Sequence, residues 1–217
     1  LLYLVAAVVG SIIVWRVAER TGTSPDPGFV QATTFAAVNV ILMLVATGGM
    51  VNTDVQQGFY RAWFSKPMAP WWFYLQRWLL GGLFVLATPL VYGALLALLL
   101  GNGMGVNVAL LIQLALSYLL VGSAVFLVST VQRLDWLIVF ILSSAEQGLH
   151  GLAQSPIGLP ATLDFAYRLL PPFHLIGIGG PTLSGGPLWH VVGYGTGMLA
   201  LALVVLLTRP LGSGGRA

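Results

Sequence analysis

Glu146 and His150 stand four residues apart in the segment SSAEQGLHG, so on a helix they share one face. Gln147 places an amide beside them, and Asn39 and Gln113 are polar residues that other apolar stretches bring within reach of the same path. A carboxyl group and an imidazole on one face can hold a proton, pass it on, or bond two helices together. Three readings of Glu146 follow. A helix that breaks near Gly148 would make the segment a hydrated vestibule. An unbroken one would make Glu146 a neutral or hydrogen-bonded group that ties helices, or part of the lining of a substrate or proton path. An ionised side chain near the membrane midplane costs at least about 2.5 kcal/mol, so Glu146 has to face the bundle interior or a polar cavity.

Other chemistries find no support in the residue pattern. His150, His174 and His190 lack the spacing of metal ligands, and neither a metal nor a haem is expected. The chain has no cysteine, which removes disulfides, thiolate metal sites and thiol nucleophiles together. Ser144, His150 and Asp164 come without the glycine pattern of a nucleophile elbow. A phosphate-cradling loop needs a lysine behind a glycine-rich turn. Lys66, the sole lysine, is followed by Pro67 and has no such turn before it. The chain is therefore not expected to be an ATPase, or an enzyme, and it carries no cofactor of its own. No basic run is present to neutralise phosphates, so no nucleic-acid partner is expected.

The elements that position these residues are set by composition. Hydrophobic residues make up 58% of the chain and charged residues 7%, several times less charge than a soluble domain of this length carries. The fold class expected is an all-α, polytopic membrane protein forming one transmembrane domain over residues 1–217. A spanning helix needs about 20 apolar residues. Six candidates meet that need, at about residues 1–17, 29–51, 71–100, 106–131, 136–149 and 187–207. The first lacks a signal-peptide cleavage site. The chain opens at Leu1 without methionine, so a preceding N-terminal piece is expected. Pro89 predicts a kink in the third span. Gly81 with Gly82, and Ser123 with Ala124, permit close helix contact. Asp135 marks one end of the fifth span, and eleven residues of helix set Glu146 about 16 Å deeper.

Lysine and arginine bias orients the spans. Six basic residues, Arg61, Lys66, Arg77, Arg133, Arg209 and Arg216, fall on one side, and Arg16, Arg20 and Arg168 on the other. The first side is read as cytoplasmic, with both termini there and the protein in the inner (plasma) membrane. Residues 150–186 are then extracytoplasmic. This segment is too apolar for a solvated loop and too broken by proline for a span. It reads as short helices re-entering the outer leaflet, one of them TLDFAYRLL, capped at Thr162 or Asp164 with an apolar face of Phe165, Leu169 and Leu170.

The stretch TDVQQGFYRAWFSKP, residues 53–67, gathers polar and aromatic residues between two apolar stretches. Thr53 and Gln56 have the spacing of a capping box, and Asp54 suits the positive end of a helix. Val55, Phe59 and Trp63 recur every four residues, with Tyr60 and Phe64 beside them, and make an apolar stripe. Pro67 ends the helix, Pro70 suits the first turn of the next, and Trp71, Trp72, Phe73, Tyr74 and Trp78 form an interfacial belt. Periodicity predicts an amphipathic helix on the membrane surface. It does not say whether lipid or protein meets the exposed face.

The order of these residues resembles the membrane subunit of ABC-2-type ATP-binding cassette transporters. That family carries acidic residues, a glycine, a hydrophobic helix, a proline nine positions after the glycine and a basic residue before the third span. Asp54, Gly58, Pro67 and Arg77 stand at the matching positions here, with Ser65 between them. The six-span layout and the broken segment before the last span also agree, as does RLLPPFHL. The chain departs at Gln56 and Gln57, where members often have glutamate, and at Phe59, where threonine is frequent. The resemblance implies that residues 53–67 are a cytoplasmic coupling helix seated on a partner ABC ATPase. Asp54, Gly58, Phe59, Tyr60, Arg61, Phe64, Lys66 and Pro67 would form the coupling surface. ATP and magnesium would be held by that partner, and a second permease copy or a related permease would complete the complex in lipid. The substrate expected is amphipathic or apolar, moved outward. An ion-coupled secondary transporter and a structural subunit of a larger complex are the alternatives.

Overall fold

The computed structural model describes residues 10, 13, 16, 20, 42–59, 69–100, 108–156, 158–176 and 185–208. Among the described residues there is no strand. The helices are α1 (Asn52–Gln56), α2 (Pro70–Leu100), α3 (Val108–Ser129), α4 (Asp135–Ala153), α5 (Ala161–Leu169) and α6 (Gly185–Thr208). Residues 42–47 are helical as well, and Phe173–Ile176 form a 3-10 turn. Among the described residues three helices are long and apolar enough to cross a membrane: Pro70–Leu95 within α2, all of α3, and α6. They point to a membrane protein and coincide with the third, fourth and sixth expected spans. α4, the expected fifth, is 19 residues long but holds Asp135, Glu146 and His150, and falls outside that class. The expected first span and most of the second lie outside the described residues.

Local sequence explains where α2 begins. Pro70 has no N–H to leave unsatisfied in a first turn, and the carbonyl of Ala69 accepts from the N–H groups of Trp72 and Phe73 at 3.1 and 3.3 Å. Pro89 lies inside α2 without ending it.

α3 carries a π turn at Tyr118–Gly122, one wide turn between two α-helical halves. The Tyr118 hydroxyl donates to the carbonyl of Trp78 at 2.5 Å, and the two rings sit 5.1 Å apart. Gly82 makes room for that ring, since a Cβ there would lie 2.7 Å from Tyr118 Cε1. The close approach expected of Gly81 and Gly82 serves this tyrosine and, at Gly81, the helical 42–47 segment as well, since a Cβ there would lie 3.1 Å from the carbonyl oxygen of Ala46.

The core runs through the bundle in two parts. Tyr74, Trp78 and Val85 of α2 pack with Leu114, Tyr118 and Phe126 of α3 and with Ala202 and Leu206 of α6. Leu120, Ala124 and Val125 of α3 pack with Val139 of α4, Phe173 of the 3-10 turn and Val191 of α6. Leu79, Leu80, Leu83 and Phe84 of α2 stay exposed, an apolar face suited to lipid.

α6 lies tight against α3 at Gly195. A Cβ there would meet Leu119 Cγ at 2.7 Å and the Leu119 carbonyl oxygen at 3.0 Å. Gly195→Leu is expected to destabilise the bundle by about 1–3 kcal/mol through overpacking. Gly197→Leu, in open space two residues on, serves as the control. Thermal unfolding in detergent checks this, and equal transition temperatures for the two variants would refute it.

Candidate functional site: two buried carboxylates on one helix

At one end of the bundle a polar cluster joins residues 49–54 to α2 and α4. Arg77, two turns into α2, pairs with Asp54 of α1 at 2.6 Å and donates to the carbonyl of Met50 at 3.2 Å. The Asp54 side chain is 8% exposed and that of Arg77 45%. Asp135 opens α4 and is buried. Its Oδ1 accepts from the N–H of Trp136 at 2.8 Å, and its Oδ2 from the N–H of Gly49 at 2.6 Å. Gly49 turns the chain there with φ at 66°. Burial raises the Asp135 carboxyl above the usual range, and the N–H groups of Gly49 and Trp136 bring it part of the way back.

At the other end Glu146 is the centre. It is 1% exposed, and both its oxygens are taken by one residue. The main-chain N–H of His174 donates to Oε2 at 3.0 Å, and the ring Nδ1 of His174 bonds Oε1. The rings of His150 and His174 stack at 3.9 Å with 14° between their planes. His150 Nδ1 bonds the Tyr167 hydroxyl at 2.7 Å, and Gln154 Nε2 meets His150 Nε2 at 2.9 Å. An amide nitrogen only donates, so Nε2 accepts, and Nδ1–H donates to the tyrosine oxygen. Burial raises the Tyr167 phenol, and the carboxylates of Glu146 and Asp164 push it the same way. α5 is fixed further by the Arg168–Asp164 pair at 2.9 Å and by the Tyr194 hydroxyl, which donates to the carbonyl of Arg168 at 3.1 Å. A chain of bonded and stacked side chains therefore leads from the buried carboxyl to half-exposed groups on α5.

α4 continues through Gly148 to Ala153, so the broken-helix vestibule is not formed. The structure agrees instead with a hydrogen-bonded Glu146. His150 shares its cluster as expected, but Gln147 is exposed and faces Ser143 at 3.5 Å, away from it. The carbonyl of Gln113 accepts from the Ser117 hydroxyl at 2.8 Å, and that hydroxyl also reaches the carbonyl of Ile176 at 3.4 Å. Gln113 is thus one turn from the 3-10 segment. Asn39 lies outside the described residues.

In the polar stretch, the capping box is not made. α1 starts after Val51 with no side-chain cap, which puts Thr53 inside the helix. Asp54 is buried against Arg77 rather than left at an open helix end. Gly58 has φ at 73°, a left-handed turn that ends α1 and favours glycine. Phe59 is 49% exposed. Tyr60, Arg61, Phe64, Lys66 and Pro67 lie outside the described residues. α5 likewise lacks its expected cap. It begins after Pro160, and Asp164 pairs with Arg168 instead.

His174 is the functional candidate that sequence reasoning missed. It sits 28 residues from Glu146, and no helical period links them. The only signal was the gathering of polar groups at one end of the chain's layout. Among the described residues no group of three His, Cys, Asp or Glu side chains is placed to hold a metal ion. No protein-family model, curated protein or solved structure matches this chain.

Proposed function

We propose that this chain is the membrane-spanning subunit of an ABC-2-type transporter. It exports an amphipathic or apolar substrate with ATP hydrolysed by a cytoplasmic partner ATPase, and it acts beside a second permease copy or relative. The observation that carries this reading is the contact between Asp54 and Arg77. Two residues that resemble separate parts of the family's motif, 23 positions apart, form one ion pair at the foot of α2. Gly58, a third motif position, has the left-handed backbone that accounts for its residue type. A surface helix tied to a span in this way can pass a push from another polypeptide into the membrane. With this reading the 49–54 end of the bundle is cytoplasmic and the His174 end extracytoplasmic.

The test is co-purification in mild detergent followed by reconstitution. A nucleotide-binding ATPase is expected to accompany the chain. Phe64→Asp is expected to leave insertion intact while transport falls to background and ATP hydrolysis continues. Full transport by Phe64→Asp, or no ATPase partner at all, would refute the proposal. The Glu146–His174–His150 cluster favours one second reading, an ion-coupled transporter. That reading is supported if transport survives deletion of the ATPase but collapses with an uncoupler.

A further inference from the structure

We infer that α4 is a strut that links the 49–54 segment to the 3-10 turn, so that displacement of either is transmitted to the other. It is fastened at its first residue, Asp135, and again at Glu146, each time by a carboxylate that accepts a main-chain N–H from a neighbouring segment. Asp135 holds Gly49 at 2.6 Å, and Glu146 holds His174 at 3.0 Å. Both carboxylates are 1% exposed, so water competes for neither bond. Main-chain bonds grip the segments themselves rather than flexible side chains.

The geometry of α4 suits transmission. Its three buried residues are Asp135, Val139 and Glu146. At 3.6 residues per turn they fall within about 40° of one another around the axis, and the two carboxylates sit about 16 Å apart along it. Both fasteners and the one buried packing residue between them therefore lie on a single stripe. Trp136, Phe140 and Ile141, off that stripe, are exposed. Among the described residues the helix is held along one side while its other side is exposed, which suits a shift as a rigid body. Val139 packs in the same core as Phe173, next to His174, which gives the far fastening an apolar backing.

This inference deepens the transporter reading by naming the element that carries the push, and it rests on that reading only for the direction of the signal. The mechanical link is testable without a partner. Hydrogen–deuterium exchange of the chain in lipid nanodiscs reads each segment after the opposite fastener is cut. Asp135→Ala is expected to raise exchange of the 173–176 amides at least about 5-fold, the lower end of usual coupling between sites. Glu146→Ala is expected to do the same for the 48–55 amides, because coupling is reciprocal. Amides 90–95 of α2 should keep wild-type rates in both. Loosening confined to the segment nearest each substitution would overturn the strut, and so would a parallel rise in those α2 amides. Should Asp135→Ala fail to insert, the Glu146→Ala arm decides alone. Absence of an ATPase would overturn the transporter reading and leave these rates unaffected, so the two failures are distinct.

Discussion

Replacing Arg77 with methionine is expected to destabilise the bundle by about 2 kcal/mol. Removing one partner of a buried ion pair costs about 3–5 kcal/mol, because the other charge stays buried without compensation. Asp54 is in that position, with a side chain 8% exposed, while Arg77 at 45% already shares its charge with solvent, which lowers the figure. The Met50 carbonyl also loses its donor. Denaturant unfolding in micelles measures the loss. The double variant Arg77→Met, Asp54→Asn should recover part of it, because an amide is cheaper to bury than a carboxylate. A single variant within about 0.5 kcal/mol of wild type, the usual scatter for surface changes, would show that the pair carries no weight.

His174→Ala should do more harm, about 3 kcal/mol. Glu146 would keep the main-chain N–H at 3.0 Å but lose the ring, and it has no exposure through which water could replace it. His150 would lose its stacking partner in the same stroke. The informative comparison is His174→Ala with Glu146→Leu. The double variant leaves only the half-buried main-chain N–H of residue 174 without its acceptor, a smaller cost than a buried carboxylate short of a partner, so it is expected to be more stable than His174→Ala alone. If the single variant unfolds like wild type, Glu146 does not depend on His174.

The long apolar helices were legible because span length is a composition signal: α2, α3 and α6 coincide with expected spans to within a few residues. Glu146 was legible as a buried group for the same reason, since an acid among apolar residues must find a partner. The partner was not legible. His174 reaches it across 28 residues, after a proline-broken segment whose path no periodicity predicts. Capping rules misplaced Thr53, and although Asp54 does stand in the first turn of α1 they gave no hint of its partner, because they weigh only neighbours along the chain. Arg77, 23 residues on, offers Asp54 a stronger interaction than a helix end does. Gly148 looked like a breaker, yet one glycine costs a helix only about 1 kcal/mol, and α4 continues past it to Ala153.

The wide turn at Tyr118–Gly122 has a bearing on how α3 divides its labour. One surplus residue offsets the clock of the helix, so the side chains after it point along bearings different from those a regular spiral would give. Leu114 and Tyr118 sit in the core shared with α2 and α6, to which Phe126 returns beyond the turn, whereas Ala124 and Val125 sit in the core shared with α4 and α6. A single rod thereby serves two sets of neighbours, and a helical wheel drawn through all 22 of its residues would blur both seams into one indistinct band.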